Sequence, residues 1–222
     1  MPSLRMVSLL TLLCATPATP LVAQEKEKVC TDIQNRPMRV GQWADYRWTG
    51  GRTNGSTMRM ALVGTENVGT TPHYWYEIAF NDGSRGTGKT IIQILVPGLG
   101  FQASAVRALI LKSGTEPAMR MSEEAVRMMG SRMGQNFATE FAHKCQETEV
   151  VGWEQVTVPA GTFRALHVRH TAEQTDAWLL SDLYFGLVKA TLKDGSSMEL
   201  TGRGSDAKSS ITETPQMMPF PR

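Results

Sequence analysis

Period-two alternation of apolar side chains, broken by turn residues, constrains this chain more than any other feature. Met58, Met60 and Leu62 share one parity, as do Tyr74, Tyr76, Ile78 and Phe80, then Ile92, Ile94 and Val96. Val188, Ala190 and Leu192 alternate with Lys189, Thr191 and Lys193, and Met198 and Leu200 with Glu199 and Thr201. One apolar face per strand is the mark of antiparallel sheet with its other face wet or ligand-facing. Gly50-Gly51, Asn54-Gly55, Asp82-Gly83, Pro159-Ala160-Gly161 and Asp194-Gly195 supply the turns between strands. The Trp43, Tyr46 and Trp48 cluster marks the first strand.

One stretch departs from this rhythm. Between Glu116 and Lys144, Met121, Ala125, Met129, Met133, Phe137 and Phe141 recur every four residues, flanked by Val126 and Met128. Ser122 with Glu123 and Glu124 suits a helix start, because a hydroxyl caps free amides and acids oppose the dipole. The spacing predicts a Met-rich helix over about 118–144, with Gly130 and Gly134 marking a bend or a close contact. The expected fold is mainly β (α+β): a curved antiparallel sheet with that helix packed against it.

The first residues, MPSLRMVSLLTLLCATPATPLVAQ, carry Arg5 ahead of a short apolar run from Met6 to Leu13. That run is too short to cross a bilayer, which takes about 20 residues. It reads as an export signal cut after Ala23. Cys14 follows Leu13 rather than a small residue, which argues against lipid anchoring there. The expected organisation is a signal peptide over 1–23, an N-terminal tail over 24–40, and one β domain over 41–204. A C-terminal edge strand within 209–214 and a Pro-rich tail complete residues 205–222. The expected location is periplasmic or secreted.

Of three cysteines, Cys30 and Cys145 remain once the leader is removed. In an oxidising compartment, with no metal-ligand spacing nearby, they are expected to form one disulfide. The net charge of +2 offers no electrostatic footprint for nucleic acid, and no later stretch reaches membrane-spanning length. Eleven of the 13 methionines lie beyond residue 23; flexible thioethers fill irregular cores and line adaptable apolar surfaces. Met58-x-Met60, Met119-x-Met121 and Met128-Met129 have the softness for Cu(I), yet each reads better as one apolar face. No metal or cofactor is expected.

Gly83-Ser84-Arg85-Gly86-Thr87-Gly88-Lys89-Thr90 fits the phosphate-loop pattern. Such a loop needs a helix next, so that amides and dipole meet phosphate. Here Ile91 to Val96 is β-branched, alternating and stopped by Pro97, which makes a strand. His167 and His170, three apart on a strand, face opposite sides and cannot share a metal. Asp176 and Asp182 flank a strand as a conceivable carboxylate pair. G-x-S-x-G, H-E-x-x-H and C-x-x-C are absent. No catalytic residue is assigned.

Val150-Val151-Gly152-Trp153-Glu154, then Thr157-Val158-Pro159-Ala160-Gly161-Thr162-Phe163-Arg164-Ala165, Asp176-Ala177-Trp178 and Phe185-Gly186-Leu187-Val188-Lys189-Ala190 form a recognisable series. With Gly41-Gln42-Trp43-Ala44-Asp45-Tyr46-Arg47 as a first strand, it resembles a group of exported bacterial proteins related to the lipoprotein-localisation-factor superfamily. The resemblance spans roughly 40–204. It implies a half-open β-barrel with helix on the concave side, a non-enzymatic role, and a concavity that holds acyl chains. Joined to the Met-rich helix, it makes Met121, Met129, Met133, Phe137 and Phe141 the candidate lining of a site for a lipid or lipoprotein acyl chain. The alternatives are an envelope structural or interaction protein without small ligand and, third, a nucleotide-binding enzyme using Gly83–Thr90.

Overall fold

A computed structural model describes residues 19–82, 88–99, 105–126, 145 and 147–218 of the chain, with side chains from Gln24 onward. Helix α1 (Thr19–Gln34) comes first, then β1 (Trp43–Thr49), β2 (Thr57–Val68), β3 (Thr71–Asn81), β4 (Lys89–Val96), β5 (Ala108–Ser113) and β6 (Met119–Arg120). The second half holds β7 (Glu149–Val158), β8 (Gly161–His170), β9 (Thr175–Leu179), β10 (Leu187–Thr191), β11 (Ser197–Gly204) and β12 (Gln216–Met217). The described strands form one open, curved sheet in the order β12-β6-β5-β4-β3-β2-β1-β11-β10-β9-β8-β7. Every pairing is antiparallel except β12 with β6.

The alternation read from the sequence sorts the two faces. Met58, Leu62, Tyr76, Ile78, Ile94 and Val96 enter the main core, with Met60, Tyr74, Phe80 and Ile92 packed against it. Trp43, the cluster's first member, lies off this face: its indole donates to Asp206 and is covered by the Arg59 guanidinium at 4.2 Å. The long β7–β8 hairpin supplies curvature. Only its Leu166–His170 half pairs with β9, and the remainder overhangs. Its turn reaches three strands across, where Ala160 N–H donates to Leu200 O (3.1 Å), and Val156, Val158 and Ala165 join the main core.

That core is closed by the β9–β10 connection. Leu180 N–H donates to Gly186 O, Leu183 N–H to Leu180 O and Gly186 N–H to Leu183 O, at 2.8, 3.1 and 3.0 Å. This tight loop pushes Leu183, Tyr184 and Phe185 inward. Phe185 stacks on Tyr76 (5.8 Å between centroids) and meets Tyr184 edge-on (5.1 Å), offset geometries that aromatic quadrupoles favour.

Residues 24–40, read as a tail, are mostly helical and ordered on the sheet. Val29, Cys30 and Ile33 form a second core with Leu166, Val168 and Leu179. Cys30 is disulfide-bonded to Cys145, Cα atoms 6.1 Å apart. Trp153 Nε1 donates to Glu25 (2.7 Å), and Lys26 Nζ to Thr148 O (2.7 Å). The helix is not legible from periodicity because, among its described side chains, only Val29, Cys30 and Ile33 are buried, while four consecutive charged residues, Glu25 to Lys28, precede them. Gly186 permits its close approach: at φ +77°, a Cβ there would sit 2.5 Å from Ile33 Cδ1.

Two further expectations are corrected. Met119–Arg120 is strand, not helix, since β6 pairs with β5; helix begins only at Glu123 and is described to Val126. The remainder of the expected Met-rich helix lies outside the described residues, as does the leader before Thr19. The 209–214 segment is not a strand. It straps the outer face of β3–β5, burying Ile211 among Ala79, Ile91, Ile110 and Ala118. Beneath it Glu77, 1% exposed, accepts from Gln93 Nε2 (2.8 Å) and Ser210 N–H (2.9 Å). Lys112 pairs with Glu213. The edge strand proper is β12, within the stretch read as a Pro-rich tail. The strap and β12 contacts are remote in sequence, so no short-range pattern announces them.

Candidate functional site

The candidate lining residues divide sharply. Met121 follows β6, donates its N–H to Leu109 O (2.9 Å) and packs half-buried against the main core. Met129, Met133, Phe137 and Phe141 lie outside the described residues. Of the phosphate-loop match, residues 83–87 are also outside. Lys89 and Thr90 open β4 in register with Asn81 and Phe80, and Lys89 Nζ donates to Ser210 Oγ (3.1 Å). A strand follows the loop, so no helix dipole meets a phosphate there.

The histidines on β8 diverge as their spacing requires. His170 lies 3.4 Å from Glu147. His167 is 8% exposed at its side chain, with Nδ1 3.0 Å from Glu154 Oε1 and Nε2 2.7 Å from Asp176 Oδ1. Its ring stacks on Trp178 at 4.4 Å, whose indole donates to Glu154 Oε2 (3.1 Å). Asp176 also accepts from Arg169 Nε (2.8 Å) and is not brought to Asp182. With both ring nitrogens engaged, His167 presents none to a substrate; the cluster ties three strands together. Among the described residues no group of three His, Cys, Asp or Glu has metal-site geometry.

The cluster makes the fold acid-sensitive. Hydrogen bonds from His167 and then Trp178 lower the Glu154 carboxyl pKa. At Asp176 burial pushes the pKa up, but hydrogen bonds from His167 and Arg169 outweigh it and leave the carboxyl low. Carboxyls with depressed folded-state values stabilise the fold above their unfolded values, and that stabilisation is lost as pH falls through the folded ones. Thermal melts from pH 7 down to about pH 3 therefore fall more steeply for the native chain than for Asp176→Asn. The variant melts lower at pH 7, by about 1–3 kcal/mol of lost charged hydrogen bonding, and the gap closes in acid. Parallel curves would assign Asp176 no such role.

Two clefts flank the segment after α1. The larger, about 810 Å³, lies between that segment, residues 181–184 and the end of β11. Arg36, Arg39, Arg203, Trp43, Tyr184 and Asp182 are among its lining. The smaller, about 500 Å³, shares Asn35, Arg36 and Pro37 with it and is lined by Met38, Tyr74 and Leu99. Those three side chains pack against the main core. Both volumes fall in the ordinary range for ligand sites, roughly 300–1,000 Å³. Tyr184 joins the two: its hydroxyl accepts from Arg39 N–H (2.8 Å) and donates to Pro37 O (3.0 Å). Burial raises its pKa against the opposing pull of the Arg39 backbone and the Arg36 and Arg39 charges, so it stays a neutral donor at physiological pH.

Sequence reading missed these clefts. Arg36, Arg39 and Arg203 form no motif, and their proximity follows from α1 docking and from β1 pairing with β11.

No family model matches the chain, and no curated protein does. Among solved structures, a "putative lipoprotein" from Parabacteroides distasonis ATCC 8503 is 13% identical, aligned over 76% of this chain and 97% of its own, with a TM-score of 0.36. A "putative exported protein with YmcC-like fold" from Bacteroides fragilis NCTC 9343 is 12% identical over the same shares, with a TM-score of 0.35. Superpositions this loose fix neither family nor function.

Proposed function

We propose that this chain is an exported, non-enzymatic binding module of the cell envelope whose ligand carries a hydrophobic chain, a lipid or the acyl group of a lipoprotein. The observation that carries this reading is the smaller cleft, whose Met38, Tyr74 and Leu99 walls are continuous with the main core. A hydrocarbon lying there exchanges water for thioether, aromatic and aliphatic contacts, worth about 0.8 kcal/mol per buried methylene. The export leader and the Cys30–Cys145 disulfide support an oxidising compartment. Among the described residues no helix is long and apolar enough to cross a membrane.

The competing reading, an envelope interaction protein without small ligand, draws on the way Leu183, Tyr184 and Phe185 fill the main core themselves. Native mass spectrometry of protein purified from an oxidising periplasm separates the two. The binding module retains an adduct that leaves on denaturation and fragments as a lipid, or gains one on incubation with monomyristoylglycerol. A ligand-free mass that stays unchanged after incubation favours the interaction protein.

A further inference from the structure

The larger cleft adds a demand on the ligand's polar end. Arg36, Arg39 and Arg203 line it, and among the described residues none of the three forms an ion pair. Arg36 stands on the wall shared by both clefts. Its guanidinium lies 5.9 Å from the centroid of the Tyr184 ring, while its buried Nε has no hydrogen-bond partner. A buried donor left without an acceptor is costly and rare in a native fold. Arg203 stacks over Phe163 at 5.3 Å. The two acids lining the cleft, Asp32 and Asp182, do not neutralise the set: Asp32 is taken by Lys28 at 2.5 Å, and Asp182 is exposed.

We infer that the ligand is an anionic amphiphile, with a phosphate or carboxylate headgroup held by Arg36 and Arg203 in the larger cleft and its hydrocarbon chain laid across Met38, Tyr74 and Leu99 in the smaller. This rests on the hydrophobic-ligand reading above and specifies its headgroup. The guanidinium fork suits a bidentate oxyanion, and Arg36 and Arg203 line one cleft from which such a group can be approached on two sides. Tyr184, bonded to both Pro37 and Arg39, holds the 36–39 segment in place for both ends of such a molecule.

Calorimetric titration of the full, disulfide-bonded, delipidated chain tests this with three probes: myristoyl lysophosphatidate, monomyristoylglycerol and glycerol 3-phosphate. The lysophosphatidate binds at least about tenfold tighter than the glyceride of equal chain length, as charge-assisted hydrogen bonds require. Glycerol 3-phosphate alone binds far more weakly than either. Arg36→Gln erases the headgroup preference, bringing lysophosphatidate affinity down to that of the glyceride measured on the same variant. Arg203→Gln, on β11 rather than in the 36–39 segment, reduces the preference and serves should Arg36→Gln fail to fold. Equal affinity for the two amphiphiles overturns the headgroup assignment and spares the chain-binding reading. Glycerol 3-phosphate binding as tightly as lysophosphatidate makes this a site for a soluble anion and overturns the amphiphile. Binding of neither amphiphile overturns both readings.

Discussion

Replacing Cys30 and Cys145 together with serine lowers the melting temperature by roughly 10–20 °C. The bridge joins residues 115 apart. Closing a loop of that length removes enough unfolded-state entropy to stabilise the fold by about 4–5 kcal/mol. Each kcal/mol is worth about 2–4 °C in a chain of this size. The effect is not spread evenly. α1 docks through Val29, Cys30 and Ile33 alone among its buried residues, a narrow apolar stripe for a helix that must pay its own ordering entropy. Proteolysis of the reduced or serine form should therefore begin within residues 24–40, before the sheet is attacked. A shift under about 3 °C with α1 still protected would show that the second core holds the helix unaided.

Phe185→Ala is the second large loss, about 3–5 kcal/mol or roughly 10 °C or more. The ring is 7% exposed and bridges Tyr76 on β3 to Tyr184 in the β9–β10 connection. Truncation leaves a cavity between rigid neighbours: Tyr46 donates to Leu187 O (3.0 Å), and Tyr184 is bonded at both its hydroxyl partners. Little collapse is available to offset the void. Phe185→Leu, which keeps most of the volume, should recover more than half of the loss in a thermal melt. Equal losses for the two variants would mean that the aromatic stack, rather than filled volume, carries the stability.

The strands of β2, β3 and β4 were legible because one parity of each enters the main core, and burial of one face writes period two directly into the sequence. The opposition of His167 and His170 and the strand after Lys89 follow from the same rule. The disulfide was legible from cysteine count and compartment. What stayed hidden depends on contacts remote in sequence. α1 looks like a charged tail because only three of its described side chains, Val29, Cys30 and Ile33, are buried against the sheet. Met119 and Arg120 look helical because their neighbours do, yet β5 and β12 claim them as strand. The strap over Glu77 has no periodicity at all; Ser210 N–H and Ile211 find their partners, among residues 77 to 118, only after the sheet exists. The clefts are hidden for the same reason, since Arg36 and Arg203 come to line one cleft only once β1 pairs with β11.

In the proposed binding mode a hydrocarbon chain lies along the wall where the smaller cleft meets the main core. Photocrosslinking with diazirine-bearing myristic acid, followed by peptide mapping of the full chain, tests it most directly. Adducts are expected on residues 34–38, on Tyr74 and on 97–99, all of them around that cleft. Adducts confined to the scattered exposed residues Val151, Leu192 and Met217, or no adduct at all, would contradict it.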